Sequence, residues 1–376
     1  MLYWFTRMPQ FSPHQDQALN AVAHWLKDKP GANGSRQVFR LFGYAGTGKT
    51  TLAKYLAEHV DGEVKFAAFT GKAASVMRGK GCAGASTIHG LIYRARESGE
   101  EIPSFDLWDE APASKAELII IDECSMVDAE LGRDLLSFGV PVLVLGDPAQ
   151  LPPIQGGGFF TEAEPDVMLT EVHRQAVDDP IVRLSMEIRA GEYLEPGRYG
   201  ETEVVHKDDL DPQRVLEADQ VLVGRNATRR AYNIRMRERR GFDGEMPSAG
   251  DKLVCLRNNR KKGLFNGGLW TVKERGARRT GIMTMRLLPD DETATRGVKV
   301  SVRPECFTGS IEKLDWPRRK PHDEFDYGYV LTVHKAQGSQ WDDVVLFDES
   351  FAFPESRERW LYTGVTRAAK KLTVVV

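Results

Sequence analysis

The stretch Gly43-Tyr44-Ala45-Gly46-Thr47-Gly48-Lys49-Thr50 decides the fold, because it fits the phosphate-binding pattern G-x-x-x-x-G-K-[ST]. In this pattern the glycines let backbone N–H groups surround phosphates, the lysine reaches the outer phosphates, and the final hydroxyl ligates Mg²⁺. The apolar run Val38–Phe42 precedes the stretch and a helical apolar periodicity follows it, so a helix N-terminus would add its dipole to the anion site. We therefore predict a site for ATP and Mg²⁺ that is formed by Gly43, Ala45, Gly46, Thr47, Gly48, Lys49, Thr50 and Thr51.

A second apolar run, Leu118–Ile121, ends in the two acids Asp122 and Glu123. In a parallel sheet, ligands bind at the carboxyl ends of the strands, which is where these acids would lie. We expect Asp122 to hold Mg²⁺ together with Thr50, and Glu123 to orient or deprotonate the attacking water. A strand followed by a helix-capping acid is common, and it is the phosphate-binding stretch that favours the catalytic interpretation.

Apolar runs alternate with helical stretches along most of the chain, which predicts an α/β fold with parallel sheets. The runs are continuous, as is typical of strands buried on both faces; they are Val38–Phe42, Val64–Phe69, Leu118–Ile121, Val140–Leu145, Val221–Val223, Val344–Phe347 and Leu372–Val376. Between about 246 and 325, short β-rich segments separated by Gly, Asn and Asp turns predict a small antiparallel β module. The segment Tyr93–Lys115 is too long for an ordinary loop, and we find no hairpin turn signal in it.

The composition is that of a globular protein. Of the 376 residues, 41% are hydrophobic and 28% are charged, which argues against disorder as the main state. No uncharged apolar stretch approaches the ~18 residues that a membrane-spanning helix needs. The N-terminus lacks the basic start and the cleavage site of a signal peptide, and the four cysteines form no C-x-x-C pair. We therefore expect a cytoplasmic protein without disulfides or structural zinc.

The net charge of −3 is unevenly distributed. The segment Arg225–Arg279 carries 16 Lys and Arg against five Asp and Glu, a net of +11, which leaves −14 for the rest of the chain. A basic segment in an acidic protein is either an electrostatic footprint for phosphates or a solvated surface, and charge alone favours neither interpretation.

Five further stretches accompany the two nucleotide motifs; they are Ala68-Phe69-Thr70-Gly71-Lys72-Ala73-Ala74, Ser86-Thr87-Ile88-His89, Gly146-Asp147-Pro148-Ala149-Gln150-Leu151-Pro152-Pro153, Val333-His334-Lys335-Ala336-Gln337-Gly338-Ser339 and Leu361-Tyr362-Thr363-Gly364-Val365-Thr366-Arg367-Ala368. In order and spacing, the seven stretches resemble superfamily-1 helicases of the 5′→3′ class, and within it the RecD/Dda group, over roughly residues 10 to 376. The resemblance is to a compact phage or bacterial member, and it implies a monomer.

The resemblance also implies a domain organisation. A first RecA-like domain is expected at 1–175, with a wedge or pin insertion at about 92–116. A second RecA-like domain is expected at 176–245 and 326–376. The β module would then be an insertion at 246–325, and the resemblance implies that it is SH3-like.

Further nucleotide contacts follow from the same resemblance. Gln150 would sense the γ-phosphate, and Gly338 would contribute to the ATP site. Arg174 and Arg367 would reach the γ-phosphate from the second domain or its border, where an arginine can be worth ~10³–10⁵ in rate. Taken alone, either arginine would more often form a surface salt bridge. Gln15 either completes a capping box at the first helix or meets the adenine, and both can be true.

The resemblance implies that several polar groups contact single-stranded DNA; they are Thr70, Lys72, Thr87, His89, Asn226, Thr332, His334 and Lys335, together with the loop proline Pro152. Hydroxyl, imidazole and ammonium groups suit backbone phosphates. Taken alone, His89 would be a buried core histidine and Pro152 part of a rigid surface turn. Phe105 and Trp108 lie where related enzymes carry a strand-separating pin. Each of the two could stack on the junction base pair or anchor the loop to the core.

The function that the resemblance implies is an ATP-dependent DNA helicase that translocates 5′→3′ on single-stranded DNA and unwinds a forked duplex. Replication or recombination proteins would be its partners. One alternative is a DNA-stimulated ATPase, translocase or protein remodeller that does not separate strands. A DNA-recognition protein in which ATP acts only as a switch is another. An RNA helicase is a third, because phosphate contacts carry no base information.

Overall fold

The computed structural model describes residues 11–28, 30, 36–95, 105–152, 158–171, 178–259, 262–264, 266–279, 281–290 and 297–376, with the backbone alone at 95, 105 and 277–279. The strands are β1 (Val38–Gly43), β2 (Val64–Ala68), β3 (Ser86–Thr87), β4 (Tyr93–Ala95), β5 (Phe105–Leu107), β6 (Leu118–Asp122), β7 (Val142–Gly146), β8 (Val167–Leu169), β9 (Gly197–Tyr199), β10 (Thr202–Val205), β11 (Gln220–Val223), β12 (Lys252–Cys255), β13 (Leu269–Arg279), β14 (Ile282–Pro289), β15 (Val298–Val302), β16 (Phe325–Tyr327), β17 (Val330–Thr332), β18 (Trp341–Phe347) and β19 (Ala368–Val375). The helices are α1 (Pro13–Lys27), α2 (Lys49–Glu58), α3 (Gly71–Gly79), α4 (Ile88–Ile92), α5 (Ala129–Leu136), α6 (Pro180–Arg189), α7 (Pro212–Glu217), α8 (Asn226–Arg239), α9 (Trp316–Arg319), α10 (Val333–Ala336) and α11 (Arg357–Val365). Within the described residues, no helix is both long enough and apolar enough to span a membrane.

The first sheet has six parallel strands in the order β3-β2-β6-β7-β1-β8. Helices α1, α2 and α3 cover one face, where Val22, Leu52 and Met77 are buried. Helices α4 and α5 cover the other face, where Ile88 and Leu131 are buried. Both faces are therefore apolar, which is why the strands have continuous apolar sequences. We call this sheet and its helices the first lobe.

The second sheet also has six strands, in the order β17-β11-β18-β19-β10-β9, and β9 runs antiparallel to β10 while the other pairs are parallel. Helices α6, α10 and α11 pack on one face, where Leu184, Val333 and Trp360 are buried. Helix α8 packs on the other face through Met236. We call this sheet and its helices the second lobe. The predicted α/β fold with parallel sheets is confirmed in both lobes.

Between α8 and β17 the chain forms a five-stranded antiparallel sheet in the order β15-β14-β13-β12-β16. The antiparallel character that the β-rich segments predict is therefore confirmed. Its core is continuous with one face of the second sheet, because Leu253 and Trp270 share a buried cluster with Val221 and Val345. Strand β16 was not predicted, and it spans the expected boundary between residues 325 and 326.

The two ends of the insertion after α4 form a hairpin. Strands β4 and β5 pair antiparallel, with Tyr93 opposite Leu107, and the N–H of Trp108 donates to the carbonyl of Ile92 at 3.1 Å. The sequence showed no hairpin turn signal in this segment, yet its two ends pair. Two-residue turns give the strongest sequence signal for a hairpin, whereas nine residues, 96–104, separate these two strands.

Two arginines of the basic segment are buried in ion pairs that join α8 to the antiparallel sheet. Arg237 donates from Nε and Nη2 to the two carboxylate oxygens of Asp251, at 2.9 and 3.0 Å. Arg229 pairs with Asp326 of β16 at 2.8 Å. These two guanidinium groups are therefore paired within the protein. Fewer positive charges are available to bind phosphates than the net charge of the segment suggests.

Replacing Asp251 with Ala should lower the free energy of unfolding by about 3–5 kcal/mol, because the buried charge of Arg237 loses its partner. The same carboxylate also accepts a backbone N–H and the hydroxyl of Tyr329. Urea denaturation measures the loss. The control is Asp342→Ala, which removes an exposed ion pair with Lys370 and should cost at most ~1 kcal/mol. Equal losses in the two variants would contradict a structural role for the buried pair.

Candidate nucleotide site and nucleic-acid interface

The phosphate-binding stretch forms a loop between β1 and α2 in which two glycines have left-handed backbone conformations. The φ angles of Gly46 and Gly48 are 77° and 82°, which residues with a Cβ rarely adopt. The ammonium of Lys49 folds over the loop and donates to the carbonyl oxygens of Gly43 at 2.6 Å and Tyr44 at 3.0 Å. A loop of this kind at a helix N-terminus supplies backbone N–H groups to an anion.

The cavity beside this loop has a volume of about 320 Å³, and both lobes line it. Its lining includes Ala45, Gly46, Thr47, Gly48, Lys49, Thr50, Thr51, Asp122, Glu123 and Gln150 from the first lobe, and Gly338, Ser339, Gln340, Thr366 and Arg367 from the second. Two of the predicted ATP contacts, Gly43 and Gln15, support the loop from outside this lining. Gln15 completes a capping box at the start of α1, which is one of its two predicted roles, and its Nε2 donates to the carbonyl of Thr47 at 3.0 Å.

The two acids after β6 have different environments. Thr50 Oγ1 lies 3.3 Å from Asp122 Oδ2, so the pair predicted to hold Mg²⁺ is adjacent. Glu123 has a left-handed backbone with φ 54°, and strain of this kind clusters at functional sites. The pKa of Glu123 is raised above its ordinary value because the carboxyl is buried and Asp122 is near, although the charge of Arg367 opposes the shift. A raised pKa suits a carboxylate that accepts a proton from water.

Arg367 brings the second lobe to these acids. Its Nη1 lies 3.9 Å from Glu123 Oε1, and its side chain is buried. The carbonyl oxygens of Thr363 and Ser339 accept hydrogen bonds from the guanidinium at 3.0 and 3.2 Å, which fixes its direction. Arg174, the other predicted arginine, lies outside the described residues.

Gln150 lies on the loop after β7 and lines the same cavity. Its side chain is only 9% exposed, and its Oε1 has no hydrogen-bond partner within the described part of the chain. A buried amide oxygen normally has a partner, so an unpaired one calls for a ligand or a water. The arrangement suits a group that meets the γ-phosphate or the water that attacks it.

Sequence reasoning missed polar residues of the second lobe that contact the phosphate loop. Tyr362 of α11 donates its hydroxyl to Asp147 Oδ2 at 2.6 Å and accepts the N–H of Ala45 at 2.8 Å. Arg189 at the end of α6 lies over the ring of Tyr44, with its guanidinium carbon 3.0 Å from the ring centre. Tyr362 and Asp147 fall within two of the helicase-like stretches quoted above, which was the available signal, whereas Arg189 falls within none.

Three predicted DNA contacts are hydroxyls that cap helices at the carboxyl ends of strands. Thr70, Thr87 and Thr332 each accept the N–H three residues further on, at 3.1, 3.0 and 3.3 Å. They begin α3, α4 and α10. An accepting hydroxyl keeps its own O–H, which can be donated to a phosphate.

The remaining predicted contacts of the second lobe lie at the same edge of its sheet. The ring of His334 packs 5.2 Å from that of Phe353, and burial lowers the pKa of His334, so the imidazole is neutral near pH 7. Burial also lowers the pKa of Lys335. Asn226 begins α8, and its Oδ1 accepts from Arg229 Nε at 3.2 Å.

The remaining predicted contacts of the first lobe have separate surroundings. The half-buried ring of His89 lies between Phe69 and Tyr93, with ring centres 6.2 and 5.6 Å away. Lys72 lines a second cavity, of about 530 Å³, together with residues of the second lobe and the antiparallel sheet. Pro152 is half-buried on the loop after β7.

Trp108 is half-buried at the base of the β4–β5 hairpin, beside Leu107, which is 37% exposed. The side chain of Phe105 lies outside what the structure describes. Stacking on a base pair and anchoring to the core both stay predictions for these two aromatic residues.

The second lobe places one of its own carboxylates at the turn between β11 and α8. The carboxylate of Glu349 accepts the N–H groups of Gly224 and Arg225 at 2.8 and 2.9 Å and the hydroxyl of Thr228 at 2.5 Å. Burial alone would raise the pKa of Glu349, but these hydrogen bonds lower it below its ordinary value. An ionised side chain therefore fills the turn between β11 and α8, and the N–H groups of this turn are satisfied within the protein.

Two protein-family models match the chain. One, described as an AAA domain, covers residues 12–209, and the other, described as a UvrD-like helicase C-terminal domain, covers residues 327–375. The first model alone spans more than half of the chain, and the second includes the stretches that contain Gly338 and Arg367.

Curated relatives include two helicases. The chain is 30% identical over 359 residues to the ATP-dependent RecD2 DNA helicase of Deinococcus radiodurans, an alignment that covers 87% of this chain and 45% of that protein. It is 30% identical over 194 residues to the ATP-dependent DNA helicase dda of Enterobacteria phage T4, which covers 48% of this chain and 42% of that protein. The chain therefore spans less than half the length of either relative.

Solved structures show the same fold. A structure from work on two coordinating Pif1 helicases at forked double-stranded DNA superposes with a TM-score of 0.60 and 19% identity, covering 98% of this chain and 92% of that chain. Bacteroides Pif1 bound to single-stranded DNA superposes with a TM-score of 0.58 and 20% identity, covering 98% and 93%. At this identity the likeness establishes the α/β fold with its RecA-like core.

The ordered motifs, the cavity between two lobes and the matching family models agree. The chain belongs to the superfamily-1 helicases, in the group of RecD and Dda.

Proposed function

We propose that the chain works as an ATP-dependent DNA helicase that translocates 5′→3′ on single-stranded DNA and unwinds duplex DNA. The observation that carries the proposal is the shared cavity, in which Arg367 of the second lobe lies 3.9 Å from Glu123 of the first. A ligand that binds such a cavity more tightly when the lobes are close shifts them toward the closed arrangement. The names of the RecD2 and dda relatives, both ATP-dependent DNA helicases, support the proposal.

Hydrolysis would use groups from both lobes. Lys49 and the loop N–H groups hold the phosphates, and Glu123 orients the attacking water and accepts its proton. Gln150 contacts the γ-phosphate or this water. Arg367, with Arg174 as the second proposed arginine, stabilises the charge that develops on the transferred group. Positioning and charge stabilisation supply most of the catalysis in phosphoryl transfer.

Thr50 and Asp122 are the residues that would hold Mg²⁺. The described residues contain no cluster of three or more His, Cys, Asp or Glu that could hold a metal, and Mg²⁺ usually takes one or two carboxylates together with substrate phosphates. When bound, the ion would neutralise charge on the phosphate oxygens. Gln15, whose amide braces the loop through Thr47, is the residue proposed to meet the adenine.

The single strand is proposed to cross the carboxyl ends of strands in both lobes; its contacts are Thr70, Lys72, Thr87, His89, Pro152, Asn226, Thr332, His334 and Lys335. The proposed domains are 1–175, then 176–245 with 326–376, and an SH3-like module at 246–325 that helps to grip the strand or the pin. The β4–β5 hairpin is proposed as the pin at the fork, with Phe105 or Trp108 as the wedge. The proposed working unit is a monomer.

The rivals differ in what they do to a duplex or in which strand they bind. A translocase or remodeller would hydrolyse ATP on single-stranded DNA and leave a forked duplex intact. An RNA helicase would show stronger stimulation by RNA than by DNA. A protein in which ATP acts as a switch would show no DNA-stimulated turnover. Forked duplexes and tails of DNA or RNA therefore separate all four activities.

Replacing Lys49 with Ala should lower DNA-stimulated ATP hydrolysis by at least ~10²–10³-fold, because one charge-stabilising donor is lost. Binding of a labelled single strand should largely survive, since the predicted DNA contacts are untouched. Glu123→Gln should still bind ATP but turn over very slowly. Steady-state hydrolysis and fluorescence anisotropy measure the two properties.

The matched control for Lys49 is Lys54→Ala on the same helix, where the lysine is exposed beside Glu58. This variant should hydrolyse ATP normally. Near-normal turnover by Lys49→Ala or Glu123→Gln would remove these residues from the active site.

Unwinding should require a 5′ single-stranded tail, with little activity on blunt or 3′-tailed duplexes. The direction of translocation depends on which lobe holds the strand more tightly as the cavity closes. The side-chain contacts that decide this are each worth about as much as a stacked base, ~1–3 kcal/mol. A gel assay with the three substrates measures the preference. Faster unwinding of the 3′-tailed duplex would overturn the assigned polarity.

Trp108→Ala should slow unwinding of the 5′-tailed duplex and leave DNA-stimulated ATP hydrolysis intact if this residue is the wedge. Tyr193→Ala, which removes an aromatic ring that is 74% exposed on the second lobe, is the control and should unwind normally. Equal loss of both activities in Trp108→Ala would instead indicate that the tryptophan anchors the hairpin.

A further inference from the structure

The Asp147–Leu151 loop follows a strand of the first lobe but is fastened to the second lobe at both ends. Its first residue accepts the hydroxyl of Tyr362 at 2.6 Å. Its last residue donates its N–H to Thr363 Oγ1 at 2.9 Å, and the carbonyl of that residue accepts from Gln337 Nε2 at 2.9 Å. Three side chains of the second lobe therefore hold the two ends of one short loop.

Apolar contacts follow the same pattern. Leu151 is 2% exposed, and its side chain belongs to a buried cluster of the second lobe that includes Leu184 and Leu361. Ala149 packs against the same cluster. Part of the first lobe's chain thus lies in the core of the second lobe, and separating the lobes would expose it.

Tyr362 links this loop to the phosphate loop. Its hydroxyl accepts the N–H of Ala45 at 2.8 Å while it donates to Asp147, and the residue is 1% exposed. Burial and the neighbouring carboxylate raise the pKa of Tyr362, so the hydroxyl keeps its proton and stays a donor. One buried hydroxyl therefore joins α11, the phosphate loop and the Asp147–Leu151 loop.

We infer that Tyr362, Thr363 and Gln337 are positioning residues that make the location of Gln150 depend on the second lobe. The inference rests on the proposed function, because it concerns when the γ-phosphate meets this amide. Gln150 lies inside the loop that these residues hold, and it lines the nucleotide cavity. When the lobes separate, the loop either follows the second lobe or loses these hydrogen bonds, and in both cases the support that holds Gln150 in the cavity changes. A change at α11 is thereby transmitted to the hydrolytic site without any contact between α11 and the nucleotide.

The test compares two tyrosines that lose the same pair of hydrogen bonds. Tyr362→Phe removes the bonds to Asp147 and Ala45. Tyr329→Phe is the matched control, because its buried hydroxyl also accepts a backbone N–H, that of Lys252 at 3.1 Å, and donates to a carboxylate, that of Asp251 at 2.9 Å. The control bonds lie where the antiparallel sheet meets the second lobe.

Both variants should show a similar fall in melting temperature. Only Tyr362→Phe should lower the kcat of DNA-stimulated hydrolysis, by roughly tenfold if the lost hydrogen bond acts in full on the transition state, with a smaller change in the KM for ATP. Equal kcat values in the two variants would overturn the inference, and so would a change confined to KM.

A second pair of variants tests the hydrogen bond between the loop and the second lobe without measuring activity. Thr363→Val removes the hydroxyl that accepts the Leu151 N–H, whereas Thr363→Ser keeps it. Hydrogen exchange at the Leu151 amide should be faster in the Val variant than in the wild type and near wild type in the Ser variant. Unchanged exchange in Thr363→Val would show that the second lobe does not hold the loop. If the wild type lacks DNA-stimulated hydrolysis, the proposed function fails, and this exchange experiment still decides whether the loop is fastened.

Discussion

Parallel strands deliver their carboxyl ends to one edge of a sheet, and the whole arrangement of this molecule depends on that constraint. In the first lobe the phosphate loop follows β1, Asp122 ends β6, and Gln150 follows β7. The residues expected to contact phosphate and water therefore lie close together because their strands are parallel. The second lobe faces this edge with the opposite end of its sheet. Gly338 and Arg367 precede β18 and β19, and therefore lie at amino ends. The nucleotide cavity thus lies between a carboxyl edge and an amino edge, which leaves the second lobe's own carboxyl edge for other contacts.

Internal pairing determines which polar groups stay available to a ligand. In the first lobe, the turn after β1 is a glycine-rich loop open to a ligand. In the second lobe, Glu349 accepts the N–H groups of the turn after β11, so an internal carboxylate occupies that helix start. Internal pairing also limits the basic segment, because the guanidinium groups of Arg229 and Arg237 form ion pairs with Asp326 and Asp251. Buried partners, rather than net charge, decide which groups can meet an external anion.

The boundary between the lobes is more than a cleft for nucleotide. Hydrogen bonds from Tyr362 reach both the phosphate loop and the loop after β7, and Leu151 inserts into the opposite core. Packed interiors resist gradual deformation, so a contact of this kind tends to have discrete arrangements. The buried oxygen of Gln150, unpaired among the described residues, lies within the same loop, so the group best suited to meet a γ-phosphate lies in a loop held by the second lobe.

Local patterns in the sequence determined much of the fold and much of the site. The phosphate loop, the parallel strands, the acids after β6 and the capping box at α1 each depend on residues close together in the chain, where spacing alone fixes which groups meet. The hairpin at Tyr93 and the strand β16 escaped prediction, because a two- or three-residue pairing after a long connection leaves no periodicity to read. The contacts of Tyr362 with Asp147 and of Glu349 with Gly224 join positions 215 and 125 residues apart. Only the tertiary structure decided these contacts, since side chains so far apart become partners when two cores have already packed and left each buried polar group a single neighbour that can satisfy it.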